Sequence, residues 1–285
     1  MSTTIHPTGQ DTTIADTTPP KVTGRQLEVA PGGGLAWAMR DAVVMTGRNL
    51  LTMIRVPQVL VFSLVQPVIF TLMFRYVFGG AIKIPGRSYV DYLMPGIFVQ
   101  TLGFGAISTA IALAEDKSKG LLERLRTLPM ARSAVLAGRV LADTARNLLI
   151  ISLLVGIAFI VGFRTHTNAV MVVAGIGVML LFGFALAWLF ALVGLSVPTS
   201  EAAQAASFPM LAPLVFASNL FVDPRTMPGW MQVWARNQPV SATANAVRAC
   251  MLGGPTATKV LISIAWSLGL SAVLAPIAIA RYRRT

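Results

Sequence analysis

Charge is concentrated in one stretch of this sequence, residues 115–147, which reads EDKSKGLLERLRTLPMARSAVLAGRVLADTARN. The stretch holds 11 of the 34 charged side chains (23 Lys and Arg, 11 Asp and Glu), and a long uncharged apolar run flanks it on each side. If those runs cross a bilayer, the stretch is too long and too regularly patterned to be a simple turn. We therefore expect it to form a structured cytosolic element that contacts another protein.

The composition of the chain is that of a polytopic membrane protein. Hydrophobic residues make up 55% of the 285 residues, charged residues only 12%, and the mean hydropathy is +0.69, far from the averages of soluble domains. The net charge of +12 does not indicate nucleic-acid binding, because the basic residues lie between apolar runs and not on a face with base-stacking aromatics. Cys250 is the only cysteine, so neither an internal disulfide nor a multi-cysteine metal site is expected.

Apolar windows without charge recur along the chain, and a helix needs about 20 such residues to cross the hydrocarbon core. We place six spans at residues 56–74, 92–114, 148–163, 169–197, 202–222 and 260–280. The third is short and is expected to borrow a turn from residues 144–147. The predicted fold is an all-α membrane protein with six transmembrane helices and both termini on one side.

Lysine and arginine indicate which side that is. With the termini inside, the cytosolic segments carry 15 of these residues and the opposite face carries 8. Because cytoplasmic loops carry an excess of Lys and Arg, we predict cytosolic termini in a multi-pass protein of the cytoplasmic membrane.

The region before the first span divides into two parts. Residues 1–34 are rich in Thr, Pro, Gly and Asp, lack a signal-peptide core, and are predicted to be a disordered cytosolic tail. The transmembrane domain is assigned to residues 35–285. Within it, residues 35–55 show the pattern of an interfacial helix on the inner leaflet, with a cytosolic helix packed on protein as the alternative. Its polar face, within about 120° of a helical wheel, comprises Arg40, Asp41, Arg48, Thr52 and Arg55.

Several mechanisms lack the residues they need. Asp, Glu, His and Lys, which ion-coupled carriers usually place inside their spans, are absent from the six predicted cores. Backbone carbonyls around Pro95, Pro209 or Pro213 remain as a possible cation site. No Gly-Lys pair exists to form a P-loop, and neither G-x-S-x-G nor H-E-x-x-H occurs. We therefore expect no ATPase, hydrolase or metalloprotease site on this chain.

The charged stretch itself has a helical pattern. Leu121, Leu125 and Leu128 fall on one stripe, and Pro129 ends the helix. After it, Arg132, Arg139, Asp143 and Arg146 cluster within about 60° of a second helix that leads into the third span. Two short helices broken at Pro129 would form an elbow that inserts into a groove on a cytosolic partner. A charged loop facing lipid headgroups is the alternative.

Two segments resemble a known family. The run KGLLERLRTLPMARSAVLAGRVLAD, residues 119–143, resembles the first cytosolic loop of ABC-2 type permeases, and its LERLRTLPMAR core is similar to the daunorubicin-resistance subgroup. Residues 219–255 resemble the extracytoplasmic segment of that subgroup. The matching positions there are Asn237, Gln238, Pro239, Val240, Arg248 and Gly253.

The resemblance implies a type V exporter-like permease whose coupling helix contacts an ATPase. The residues assigned to that contact are Glu115, Asp116, Gly120, Leu121, Leu122, Glu123, Arg124, Leu125, Arg126, Leu128, Pro129 and Arg132. The extracytoplasmic motif comprises Pro228, Trp230, Trp234, Asn237, Gln238, Pro239, Arg248 and Gly253. Pro228, Trp230 and Trp234 suit a re-entrant interfacial element, since Trp prefers the headgroup level; a simple aromatic belt is the alternative.

The family also implies partners and cargo. Its members pair as homodimers or heterodimers, bind two cytosolic ATPase subunits that carry ATP and Mg²⁺, and export drugs, lipids or polysaccharides. The absence of a polar channel favours a hydrophobic drug or lipid over a polysaccharide. An ion-coupled carrier and a membrane scaffold are the competing classes.

Overall fold

The computed structural model describes residues 46–47, 57–78, 88–121 and 132–284, and every regular element in these ranges is helical. The elements are α1 (Pro57–Met73), a π-helical continuation (Phe74–Phe78), α2 (Tyr89–Ser118), α3 (Arg132–Val161), α4 (Ala169–Ser196), α5 (Ser200–Phe216), a 3₁₀ turn (Pro224–Thr226), α6 (Gly229–Asn237), α7 (Pro239–Leu252) and α8 (Thr256–Arg284). The predicted all-α membrane fold is confirmed.

A helix lies at each of the six predicted spans. Within the described residues, four helices are long and apolar enough to cross a membrane: α2, α3 from Leu136, α4, and α8 as far as Tyr282. The other two, α1 and α5, have 17 residues each, about 26 Å at a rise of 1.5 Å per residue. The chain is a multi-pass membrane protein.

Two boundaries differ from the prediction. The third helix begins at Arg132, well before residue 148, because its polar side chains find partners on α2 and the backbone needs no break. The predicted second helix of the elbow is thus the first half of α3. The fifth helix ends at Phe216 and not at residue 222. Because the chain leaves the helix there, the carbonyl groups of Asn219 and Leu220 are free of the helix and accept hydrogen bonds from Arg248.

Two predicted features lie wholly or mostly outside the described residues. The tail 1–34 lies outside the described residues, and so does the interfacial helix 35–55 except for Thr46 and Gly47, which are helical. The Thr46 hydroxyl donates to the carbonyl oxygen of Gly138 at 3.2 Å. This contact joins the segment before the first span to α3.

The centre of the bundle is formed by α2 and α4, which pack on each other and on α3, α5 and α7, while α8 packs along α4. Gly194 allows the close approach of α4 to α2, because a Cβ there would collide with the carbonyl oxygen of Ala110. At one end of the bundle, the buried side chains of Leu113, Leu136 and Tyr282 share a cluster. The C-terminal end of α8 therefore lies beside the end of α2 and the start of α3.

Candidate functional site

The end of α2 positions the segment predicted to bind an ATPase. Lys117 donates through Nζ to the carbonyl oxygens of Leu195 and Val197 at 3.1 and 3.3 Å, which joins the end of α2 to the end of α4. Glu115 accepts from Lys119, and this hydrogen bond raises the pKa of Lys119. Gly120, with φ +66°, turns the chain out of the helix, a conformation that glycine adopts at no steric cost.

The predicted coupling residues divide between described and undescribed parts of the chain. Glu115 and Asp116 lie in the last turn of α2, Gly120 and Leu121 follow it, and Arg132 is the first residue of α3. The remaining positions lie outside the described residues: Leu122, Glu123, Arg124, Leu125, Arg126, Leu128 and Pro129. The docking stripe thus remains a prediction, and the helix ends on both sides of it are defined.

A chain of charged side chains runs inward from these helix ends. Arg139 of α3 lies 3.6 Å from Asp116 of α2 and 3.7 Å from Asp143, one turn further along α3. Asp143 lies 3.8 Å from Arg146 and also accepts a 2.7 Å hydrogen bond from the Thr109 hydroxyl of α2. The side chains of Asp143 and Arg146 are 5% and 8% exposed. Burying charge is costly unless it is paired and hydrogen-bonded, and the contacts between α2 and α3 meet both conditions.

The sequence predicted that these residues cluster on one side of a helix but not what they contact, and the structure buries Asp143 and Arg146 against α2. We predicted spans without charged residues, but Asp143 and Arg146 both belong to the helix that forms the third span. The sequence signal for this buried charge was the shortness of the third apolar run. A helix with only 16 uncharged residues must place its polar turn inside the bundle if it is to cross.

The charged chain ends at a cavity between α1, α2 and α3. Arg146 forms part of its wall and donates through Nη2 to the carbonyl oxygen of Gly105 at 2.8 Å. The cavity has a volume of about 150 Å³. Apart from Arg146 of α3, its polar lining side chains come from α1 and α2: Ser63, Gln66, Gln100, Thr101 and Ser108. Gln100 is 3% exposed, and within the described ranges its Oε1 has no hydrogen-bond partner. This cavity, which we call the polar cavity after the polar side chains in its otherwise mostly apolar wall, therefore adjoins the inner end of the charged chain.

The second predicted motif lies at the opposite end of the bundle. Pro228 precedes α6, on which Trp230 and Trp234 are 74% and 49% exposed. Asn237 is the last residue of that helix, and its side-chain amide donates to the carbonyl of Val233. Pro239 begins α7, whose 14 residues extend about 21 Å, too short to cross the hydrocarbon core of about 30 Å. Nearly every residue of α7 from Val240 to Leu252 is buried. A buried helix of this length packs inside the bundle without spanning it, and the predicted re-entrant element stays a prediction.

Two buried residues of this motif hold α7 in place. Gln238 donates to the carbonyl of Ala217 at 2.9 Å. Arg248 donates to the carbonyl oxygens of Tyr92, Asn219 and Leu220 at 2.8–3.0 Å. Gly253, with φ +87°, ends the helix. The motif thus combines a structural anchor with an exposed aromatic face.

Metal chemistry has no visible site in the part of the chain that the structure describes, where no three His, Cys, Asp or Glu side chains are grouped as ligands. The arrangement instead provides a mechanical connection between helices. Two helix ends that flank a charged segment are joined by ion pairs that continue into the bundle.

Known proteins similar to this chain carry names that fit this arrangement. It is 35% identical to the daunorubicin resistance ABC transporter permease protein DrrB1 of Streptomyces coeruleorubidus, over 95% of this chain and 96% of that protein. It is 28% identical to the probable doxorubicin resistance ABC transporter permease protein DrrC of Mycobacterium tuberculosis (strain ATCC 25618 / H37Rv), over 92% and 97%. A more distant relative, the putative transport permease ycf38 of Cyanophora paradoxa, is 22% identical over 74% and 73%.

The family model described as ABC-2 type transporter matches residues 40–252. This range includes α1 to α7, the charged segment and most of the second motif. The resemblance read from the two sequence motifs is confirmed, and the chain belongs to the ABC-2 type transporter family.

Proposed function

We propose that this chain is the membrane-spanning permease subunit of an ABC exporter that moves a hydrophobic drug or lipid. The observation that carries the proposal is the path of ion pairs from Asp116 through Arg139 and Asp143 to Arg146. It connects the ends of the segment predicted to dock an ATPase with a polar cavity inside the bundle. A movement imposed on that segment would therefore be transmitted to the wall of the cavity.

The energy for transport comes from a separate subunit in this proposal. The sequence contains no P-loop, so ATP and Mg²⁺ would be held by a cytosolic ATPase, in two copies for a pair of permeases. Leu121, Leu125 and Leu128 would form the apolar stripe that enters a groove on that ATPase. The permease names of the relatives support this division of labour.

The orientation follows from the charge distribution and the packing. The segment 115–147 and the tail Arg281, Arg283 and Arg284 are both basic, and the cluster of Leu113, Leu136 and Tyr282 places them at one end of the bundle. The positive-inside rule then supports a cytosolic location for that end.

The cargo is the least constrained part of the proposal. The names of the relatives refer to daunorubicin and doxorubicin resistance, which supports a drug. The cavity of about 150 Å³ is smaller than the roughly 300–1,000 Å³ of drug-sized pockets. A second permease, as a homodimer or heterodimer, would be needed to form a larger pathway.

Co-purification tests the docking assignment. The wild-type chain is expected to retain a cytosolic ATPase, and the double variant Leu121→Asp plus Leu125→Asp is expected to lose it, because the effective cost of burying an unpaired carboxylate is several kcal/mol. The matched control, Leu121→Met plus Leu125→Met, keeps an apolar stripe and should retain the ATPase. Retention by the Asp variant would refute the docking stripe.

Transport in reconstituted vesicles tests the rest. With the ATPase and ATP present, uptake of hydrophobic drugs or lipids is expected. Transport without ATP that collapses with an ion gradient would identify an ion-coupled carrier. Transport restricted to a hydrophilic glycan would identify a polysaccharide exporter, and a bound ATPase that responds to no substrate would identify a scaffold.

A further inference from the structure

A second cavity, of about 520 Å³, opens at the end of the bundle that is remote from the charged segment. Tyr92 near the start of α2 lies in its wall, whereas Ser118 ends that helix about 39 Å further along the axis. The loop after α5, the end of α6, one face of α7 and the first turn of α8 form the rest of the wall. No part of it is shared with the polar cavity between α1, α2 and α3.

The wall of this cavity is strongly basic. Four of its lining residues are cationic, Arg225, Arg236, Arg248 and Lys259, and Asp223 is the one acidic lining residue. The lining residues therefore carry a net charge of +3. Clefts that concentrate charge of one sign beside low-dielectric walls raise the local concentration of ions of the opposite sign.

One of these cations is fixed in position. Arg248 is 7% exposed, and its guanidinium stacks on the ring of Tyr92 at 3.8 Å from the ring centre while donating to three backbone carbonyls. A buried charge that cannot swing into solvent is a preorganised binding group, because a ligand pays no further ordering cost to engage it.

The first turn of α8 adds a second source of positive potential. The helix begins at Thr256 at the rim of the cavity, has no acidic residue in its first turn, and carries Lys259 there. Helix N-termini are stabilised by negative charge, so a lysine at this position increases a positive potential that an acid would normally reduce. Asp223 is engaged locally, since its Oδ1 accepts from the backbone N–H of Arg225 at 2.9 Å.

We propose that this cavity binds the phosphate group of an anionic headgroup. Arg and Lys are the residues that bind phosphate oxygens through charge-assisted hydrogen bonds. A lipid is the favoured source, because α6 beside the cavity exposes Trp230 and Trp234, and Trp concentrates at the headgroup level of a bilayer. A soluble phosphate ester shares the same chemistry. The inference stands independently of the ATPase docking and of the cargo proposed above.

Isothermal titration calorimetry on the full-length chain in a neutral detergent tests the site. The probes are dihexanoyl phosphatidylglycerol, dihexanoyl phosphatidylcholine with the same tails but no net charge, and glycerol 3-phosphate. The test variant is Arg225→Gln plus Lys259→Gln, which leaves the buried Arg248 in place. The matched control is Arg164→Gln, which removes one positive charge at the same end of the bundle but outside the cavity.

Saturable binding of the phosphatidylglycerol is expected, weakened at least about tenfold in the double variant, since two charge-assisted hydrogen-bond donors to the phosphate are removed. The control should bind as the wild type does. Weaker binding of glycerol 3-phosphate than of the lipid identifies a lipid site, and equal binding identifies a soluble phosphate ester. Equal binding of phosphatidylcholine and phosphatidylglycerol, or a double variant with unchanged thermal stability and unchanged affinity, overturns the proposal.

Discussion

Arg139 of α3 lies 3.6 Å from Asp116 of α2, and the two residues flank the segment that the structure leaves undescribed between the helices. The ion pair joins the two helix ends at the base of this segment. Any displacement of the segment by a bound ATPase therefore acts on α2 and α3 together. The pair is the outermost link in a path whose inner links are buried.

Replacing Asp116 with Asn tests whether this outermost link transmits movement. The pair is partly exposed, with side chains 22% and 29% accessible, so the loss of stability should be below about 1 kcal/mol. ATPase binding should persist, and transport per ATP hydrolysed in vesicles should fall. Glu201→Gln, which also neutralises an exposed carboxylate at a helix end but lies outside the predicted ATPase contact, should leave coupling unchanged. Equal effects of the two variants would show that Asp116 has no special role.

Asp143→Asn should be the most destabilising change in the path. The Asp143 carboxylate lies between Arg139 and Arg146 and accepts a hydrogen bond from Thr109. Removing one partner of a buried ion pair costs about 3–5 kcal/mol, because the remaining charge stays buried without compensation. Thermal unfolding of the purified chain measures the effect. Thr109→Val, which removes a single donor, should cost about 1 kcal/mol; a larger loss for Thr109→Val than for Asp143→Asn would contradict the ranking.

The close approach of α4 to α2 predicts a difference between two glycines of the same helix. Gly194→Ala should destabilise the chain by about 1–3 kcal/mol, because its Cβ would collide with the carbonyl oxygen of Ala110 and force the helices apart. At Gly177 a Cβ meets no atom within 4 Å, so Gly177→Ala should stabilise α4 by about 0.5–1 kcal/mol. Thermal unfolding of both variants measures the contrast. Unfolding temperatures that shift in the same direction would argue against this helix contact.

Periodicity and charge in the sequence located the helices but not their polar contacts. A helix lies at each of the six apolar windows, because the need to satisfy backbone groups in a bilayer leaves a strong local signal. The burial of Asp143 and Arg146 was not predicted, since a charged turn beside a short apolar run is compatible with either a loop or a helix inside the bundle. Only the partners on α2, Thr109 and Gly105, distinguish the two. Those partners are 34 and 41 residues away in sequence, and no local pattern reveals them.

The motif residues at the other end show the same limit. Arg248 and Gln238 were identified through the resemblance, but their roles as anchors depend on carbonyl groups of Tyr92, Leu220 and Ala217. A backbone carbonyl has no sequence signature, because every residue has one. Whether a carbonyl group turns toward an arginine depends on where the helix ends. The end of a span is not determined by a local sequence pattern.

Gln100 provides a test of the polar cavity. Its side chain is 3% exposed, and its Oε1 lacks a hydrogen-bond partner within the described ranges. A buried polar atom without a partner costs about 1–3 kcal/mol, so Gln100→Leu, which is similar in size, should raise the unfolding temperature. If the cavity takes part in transport, the same variant should also lower the transport rate in vesicles, since the wall loses a polar group beside Arg146.

The matched control is Gln100→Glu, which keeps the size and the polar character of the side chain and adds a negative charge near Arg146. It should bring a charge partner to Arg146 and change the pH dependence of transport. An increase in stability for Gln100→Leu with no change in transport would mean that the cavity is only a packing defect. A decrease in both stability and transport would mean that Oε1 is hydrogen-bonded in the functioning protein, and that the cavity holds a group able to donate to it.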